Sequence, residues 1–178
     1  MARAVHEAGS LVHPGLPIAM LTLGACVIPP SLQVDDNDAG VNSPPAILGV
    51  TSDLQALPEP GPVLFDRGAS AGNLSLSLID TDVTDTLYVR IFVDYNLPDR
   101  LPPRAQCMAS PNMKPVRTAT CGLASLCALG DLGVQRSMSI VVFDRPPVES
   151  GEPPFQQMPP GGLSTSRFYF LKCQPPQT

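Results

Sequence analysis

The densest set of candidate ligands beyond residue 43 is Asp80-Thr81-Asp82-Val83-Thr84-Asp85, three carboxylates between two strongly strand-forming segments. Oxygen donors on a tight turn are what calcium takes, so Asp80, Asp82 and Asp85 are the candidate metal ligands. An EF-hand is excluded, because its sixth position would be Asp85 instead of glycine and its twelfth Ile91. The simpler expectation is a turn in which Asp and Thr side chains bond nearby backbone, with no metal and no cofactor. Phe65-Asp66-Arg67 and Phe143-Asp144-Arg145 repeat one triplet, which predicts local Asp–Arg pairs at strand ends. Such pairs contribute about 0–1 kcal/mol where exposed. Asp94 and Asp99, near Arg90, Arg100 and Arg104, predict a charged loop surface. The two histidines, His6 and His13, both lie near the start of the chain, and there is no tryptophan. Beyond residue 13, Ser-His-Asp and Cys-His catalysis is therefore closed, and so are the usual imidazole sites for zinc. A carboxylate-dependent hydrolase remains as an alternative, but it needs two facing acids and no such pair stands out. The expectation is a protein that is not an enzyme.

The fifth cysteine, Cys26, has a different setting. Leu23-Gly24-Ala25-Cys26 closes an apolar run that begins near Leu16 and follows a short stretch containing Arg3. The run is too short to span a bilayer as a helix, which takes about 20 apolar residues. This layout of charged start, apolar segment and small residues at a cut is that of a secretory signal. It resembles a bacterial lipobox: Leu23 fills the apolar position, Gly24 and Ala25 are small enough for the signal peptidase, and Cys26 supplies the thiol. The resemblance implies a signal peptide over 1–25, cleavage before Cys26, and a diacylglyceryl group with a further acyl chain on the new terminus. Two or more chains anchor firmly where one binds marginally, at about 0.8 kcal/mol per buried methylene. Val27 follows the cysteine in place of the aspartate that marks inner-membrane retention, which favours the outer membrane of a Gram-negative cell. An ordinary secretion signal or an uncleaved structural helix are the alternatives.

Once Cys26 is set apart, Cys107, Cys121, Cys127 and Cys173 form an even set. In an exported, oxidising setting, two disulfides are expected. A four-cysteine zinc site would call for paired, closely spaced knuckles, which are absent. Formal net charge is −5, with no basic stripe interleaved with aromatics, so nucleic acid is not an expected partner. The 22 prolines disfavour long helices and suit loops between short strands. Residues 26–43 carry Pro29-Pro30 and Asp35-Asp36-Asn37-Asp38-Ala39-Gly40 with little to bury, and read as a flexible acidic tether.

The domain reads as 44–178. Strands are predicted over 45–50 and 63–65, and over 74–78, where three leucines alternate with serines. The strongest segment is 86–95, with Leu87, Val89, Ile91 and Val93 on one face and Tyr88, Arg90, Phe92 and Asp94 on the other. Further strands fall at 137–143, with Met138, Ile140 and Val142 aligned, and at 167–173, with Phe168 and Phe170 opposite Tyr169 and Leu171. A helical turn or two is expected only at 121–127. Short alternating strands between Pro/Gly turns argue for an all-β antiparallel sandwich. The strand–Asp endings Ile79-Asp80, Val93-Asp94 and Phe143-Asp144 resemble those of immunoglobulin-like modules of bacterial surface proteins, without the Cys…Trp…Cys signature.

If 86–95 and 167–173 both flank 137–144 antiparallel, their C-terminal ends meet at one end of the sheet. The long connection from Asn96 to Gln135 starts and finishes at that end too, which gathers all four cysteines there in a disulfide-containing loop. Six residues of helical turn would set Cys121 and Cys127 on different faces, so the expected bridges are Cys107–Cys121 and Cys127–Cys173. Together these readings lead us to expect a lipid-anchored cell-envelope protein that binds or builds instead of catalysing. Its membrane contact would be the N-terminal lipid, and its partner an envelope protein or polysaccharide. An accessory subunit of an envelope or secretion complex is the alternative.

Overall fold

Alternation of apolar and polar residues dictates most of what forms. In the computed structural model, which describes residues 42–53 and 55–176, the strands are β1 (Ala46–Ser52), β2 (Gln55–Ala56), β3 (Val63–Asp66), β4 (Asn73–Ile79), β5 (Leu87–Val93), β6 (Ala105–Ala109), β7 (Val116–Gly122), β8 (Gln135–Phe143) and β9 (Ser164–Gln174). They make a two-sheet β-sandwich, with β2-β1-β4-β7 facing β3-β9-β8-β5-β6. The β1-β4-β7 and β5-β8-β9 groupings match the A-B-E and C-F-G groupings of an immunoglobulin sandwich. Leu74, Leu76 and Leu78 of β4 and Leu87, Val89 and Ile91 of β5 are at most 1% exposed and meet in one core with Met138, Ile140, Val142, Tyr169 and Leu171. Full burial of each such side chain contributes about 1.5–3 kcal/mol.

As expected, β8 lies between β5 and β9, antiparallel to both. The wholly antiparallel expectation fails at one pair, because β3 runs parallel to β9, setting Val63 beside Leu171 and Phe65 beside Cys173. These two strands lie far apart in the chain, so no short hairpin constrains their direction. The connection from Asn96 to Gln135 is not a plain loop. It contains β6, paired with β5, and β7, paired with β4. Residues 123–127 form a turn, with Leu126 N–H donating to Leu123 C=O, and not the expected helix; a 3-10 turn follows at Leu129–Asp131.

The outer face of β5 also departs from its simple pattern. Phe92 is fully buried and Arg90 is 7% exposed. The reason is a strap at 148–162 that crosses this face and packs Phe155 and Met158 against Phe92, Val141 and Phe143. Arg90 donates to the strap at Phe155 C=O (2.6 Å) and pairs with Glu149, and Tyr95 Oη donates to Pro154 C=O.

Candidate functional site

Strand directions give the sandwich two distinct ends. The described chain enters at one end, where Ser43 N–H donates to Asp82 (3.2 Å) and Asn42 donates to Asp144 and to Gly161 C=O. Residues 42 and 43, expected in the tether, are thus bonded to the sandwich. In the second Phe-Asp-Arg triplet, Asp144 reaches not to Arg145 but to Asn42 and to Leu163 N–H (2.8 Å).

The calcium candidates lie at this same end, where Arg117 of β7 meets their turn. Asp80 is buried against Arg117, with 3.3 Å between guanidinium and carboxylate and both side chains at most 1% exposed. Its other oxygen accepts from Asp82 N–H at 3.0 Å. Arg117 also donates to the carbonyls of Asp82 and Asp85. The positive charge that a metal would supply to this turn comes from β7, and Asp82 is taken by Ser43 N–H. Among the described residues, no three His, Cys, Asp or Glu side chains gather as a metal site. Burial, and then the nearby Asp82 and Asp85 charges, raise the Asp80 carboxyl above its ordinary 3.8 despite its backbone hydrogen bond and Arg117.

The opposite end is built from the β5–β6 and β7–β8 connections. All four expected cysteines are bridged, in the favoured pairing, although the helix expected to keep Cys121 from Cys127 does not form. Cys107–Cys121 ties β6 to β7 across the two sheets, with 5.0 Å between Cα atoms. Cys127–Cys173 fastens the turn after β7 to the end of β9, with 5.7 Å between Cα atoms. The cysteines of the first bridge sit within strands, not in a loop, because β6 and β7 form where none was expected.

A charge network locks the same end. Asp131, 3% exposed, pairs with Arg104 and with Arg136 (3.0 Å) and accepts from Ala128 N–H at 2.8 Å. Arg136 continues to Asp94 (3.2 Å) and to Gly130 C=O, and Arg104 to Leu126 C=O (3.0 Å). The expected cluster of Asp94 and Asp99 with Arg90, Arg100 and Arg104 therefore separates. Asp94 joins Arg136, Arg104 joins Asp131, Arg90 joins Glu149, and Arg100 joins Glu152. Sequence reading missed Asp131 and Arg136 because their partners lie on other segments and no local spacing announces them.

Burial pushes the Asp131 carboxyl up, but the Arg104 and Ala128 hydrogen bonds and the two arginine charges outweigh it and hold it below 3.8. A lowered carboxyl stabilises the fold above its unfolded value, and this contribution is lost as pH falls through the folded value. Asp131→Asn is expected to reduce stability at pH 7 by about 1.5–3 kcal/mol, the range for hydrogen bonds to charged groups. Urea midpoints should show the gap to wild type closing below pH 3.8.

On this locked frame the surface is open and partly apolar. Leu97, Leu101, Leu129 and Val134 are between 46% and 69% exposed, all on the two connections. Beside them, Tyr95, Leu97, Pro98, Arg100, Pro153 and Pro154 line a groove of about 690 Å³ between the β5–β6 connection and the strap. Phe92 packs on Tyr95 with 4.6 Å between ring centroids, and the Arg100 guanidinium lies 5.8 Å from the Tyr95 centroid. The buried carboxylate of this end, Asp131, holds the connections together through Arg104 and Arg136.

No family model matches this chain, and no curated protein does either. Cys26, with Leu23, Gly24 and Ala25, and the Asp-rich tether segment lie outside the described residues.

Proposed function

We propose that this is a lipid-anchored cell-envelope protein, placed by its Cys26 lipid in the outer membrane of a Gram-negative bacterium. Its immunoglobulin-like sandwich is a non-enzymatic binding module for an envelope partner. The observation that carries this reading is the opposition of the two ends. The chain joins the sandwich at Asn42 and Ser43, while the disulfide-tied, ion-paired connections with their exposed leucines lie at the other end. A module tethered through its N-terminus presents its far end to a partner. Rigid connections favour such a role, because less freedom is lost on binding. Large exposed apolar side chains on a polar rim are what a protein interface uses at its centre.

The test is expression with the native leader and metabolic labelling with an alkyne-palmitate. Wild type is expected to label and to fractionate with membranes, and Cys26→Ala to do neither. A photo-crosslinker at Leu97 or Leu129 is expected to capture an envelope protein, and one at Met113, near the chain's entry, is not. Absence of label from wild type would overturn the anchor. Equal capture from both ends would overturn the binding end.

A further inference from the structure

The outer face of the β2-β1-β4-β7 sheet has a composition that the loop end does not explain. Across these four strands the only charged residue is Arg117, and it is buried in its pair with Asp80. The outward face therefore carries no charge, in a protein of net charge −5. It carries hydroxyls instead. The register sets Thr51 beside Ser75 and Ser75 beside Thr120, and in the next row Ser77 beside Thr118. Strands lie about 4.8 Å apart and same-face residues repeat about every 6.8 Å, so the five hydroxyls form a regular two-row array. Thr51 Oγ1 donates to Ser75 C=O (3.4 Å); among the described residues the hydroxyls of Ser75, Ser77, Thr118 and Thr120 bond to no protein group. Gly49 and Gly122, in the same sheet, leave the surface low around them. Ile79 beside Val116, with Leu48 at the β1 bulge, makes an apolar strip at the end where the chain enters. The opposite sheet differs, its outer face being partly covered by the protein's own strap.

We propose that this face is a binding surface for an uncharged polysaccharide. An ionic ligand meets no counter-charge here. A protein partner would find exposed apolar side chains only at the entry end, where Leu48 and Val116 are 54% and 46% exposed, because the leucines of β4 all point inward. A sugar hydroxyl, like that of Ser or Thr, both donates and accepts, so rows of each satisfy one another in several registers. The Ile79–Val116 row suits the C–H face of a sugar ring. The surface is distinct from the loop end, and the inference does not depend on the lipid anchor.

The test is co-sedimentation of the full chain, purified in detergent, with microcrystalline cellulose, chitin and starch granules, and with alginate as an anionic comparison, at low and high salt. Retention is expected on at least one of the three uncharged polymers and is expected not to change with salt. Thr118→Glu/Thr120→Glu should weaken it about tenfold, equivalent to about 1.4 kcal/mol. Thr118→Ser/Thr120→Ser, which keeps the hydroxyls, should retain it, as should Phe168→Ser on the other sheet. All variants should melt within about 4 °C of wild type, because exposed substitutions cost at most about 0.5 kcal/mol each. The proposal falls if no uncharged polymer retains the protein, if the glutamate variant binds as well as wild type, or if only alginate retains it and salt abolishes the retention.

Discussion

Arg117→Met is expected to lower the unfolding free energy at pH 7 by about 3–5 kcal/mol, the cost of leaving one member of a buried ion pair without its partner. Arg117 and Asp80 lie at most 1% exposed, and the guanidinium also bonds the carbonyls of Asp82 and Asp85. Its removal strands a carboxylate and two turn carbonyls together. The Asp80 carboxyl is already raised by burial, so loss of the arginine charge raises it further. A raised carboxyl contributes stability at low pH that is lost as pH rises through the folded value. The deficit of Arg117→Met should therefore be smaller near pH 4 than at pH 7. The double variant Arg117→Met/Asp80→Asn removes the stranded charge and keeps an oxygen for Asp82 N–H. It should recover most of the loss, since buried pairs replaced as a unit are often neutral. Urea unfolding of the three proteins at both pH values measures this. A deficit that does not change with pH would show that Asp80 is not the stranded group.

Cys127→Ser/Cys173→Ser is expected to cost about 4 kcal/mol, and Cys107→Ser/Cys121→Ser about 3 kcal/mol, from the loops each bridge closes in the unfolded chain. The two bridges span 46 and 14 residues. The dependence on loop length is logarithmic, so the difference is modest. In melting temperature the longer bridge corresponds to a drop of about 10–15 °C for a domain of this size. Its loss also frees the turn that holds Leu123 and Leu126, both fully buried, so the locked end should open first. Hydrogen exchange of residues 123–134 in the oxidised protein and in each variant would register that opening. Faster exchange there in the Cys107→Ser/Cys121→Ser variant alone would reverse the assignment.

Period-two alternation made the inner face of the sandwich legible. Leu74-Ser75-Leu76-Ser77-Leu78 and 87–93 point their apolar members inward as read. The gathering of the four cysteines at one end followed as well, because flanking β8 with β5 and β9 brings those chain ends together, while the pairing itself was decided by β6 and β7. β6 and β7 escaped, since Ala105–Ala109 offers small residues with no strong alternation, and Arg117 interrupts the inward face of β7. The burial of Phe92 and Arg90 on the other face was not legible, because the strap that covers them lies some 60 residues further along the chain. The Asp80–Asp85 cluster offered calcium as an alternative to a plain turn because carboxylate spacing is visible in sequence, whereas the arginine that meets Asp80 comes from another strand.

The sequence by itself determined the composition of the core, the two-sheet class and the even set of cysteines. Each of these depends on local alternation or on residue counts, which need no knowledge of neighbours in space. Only the tertiary structure decided which charges meet, which end the chain enters, and that one sheet face is left uncharged. Those properties arise when strands distant in sequence are set side by side. Ser75 is beside Thr120, and Arg117 against Asp80, only because β4 and β7 pair in one register, and a slip of one residue would turn Arg117 out to solvent.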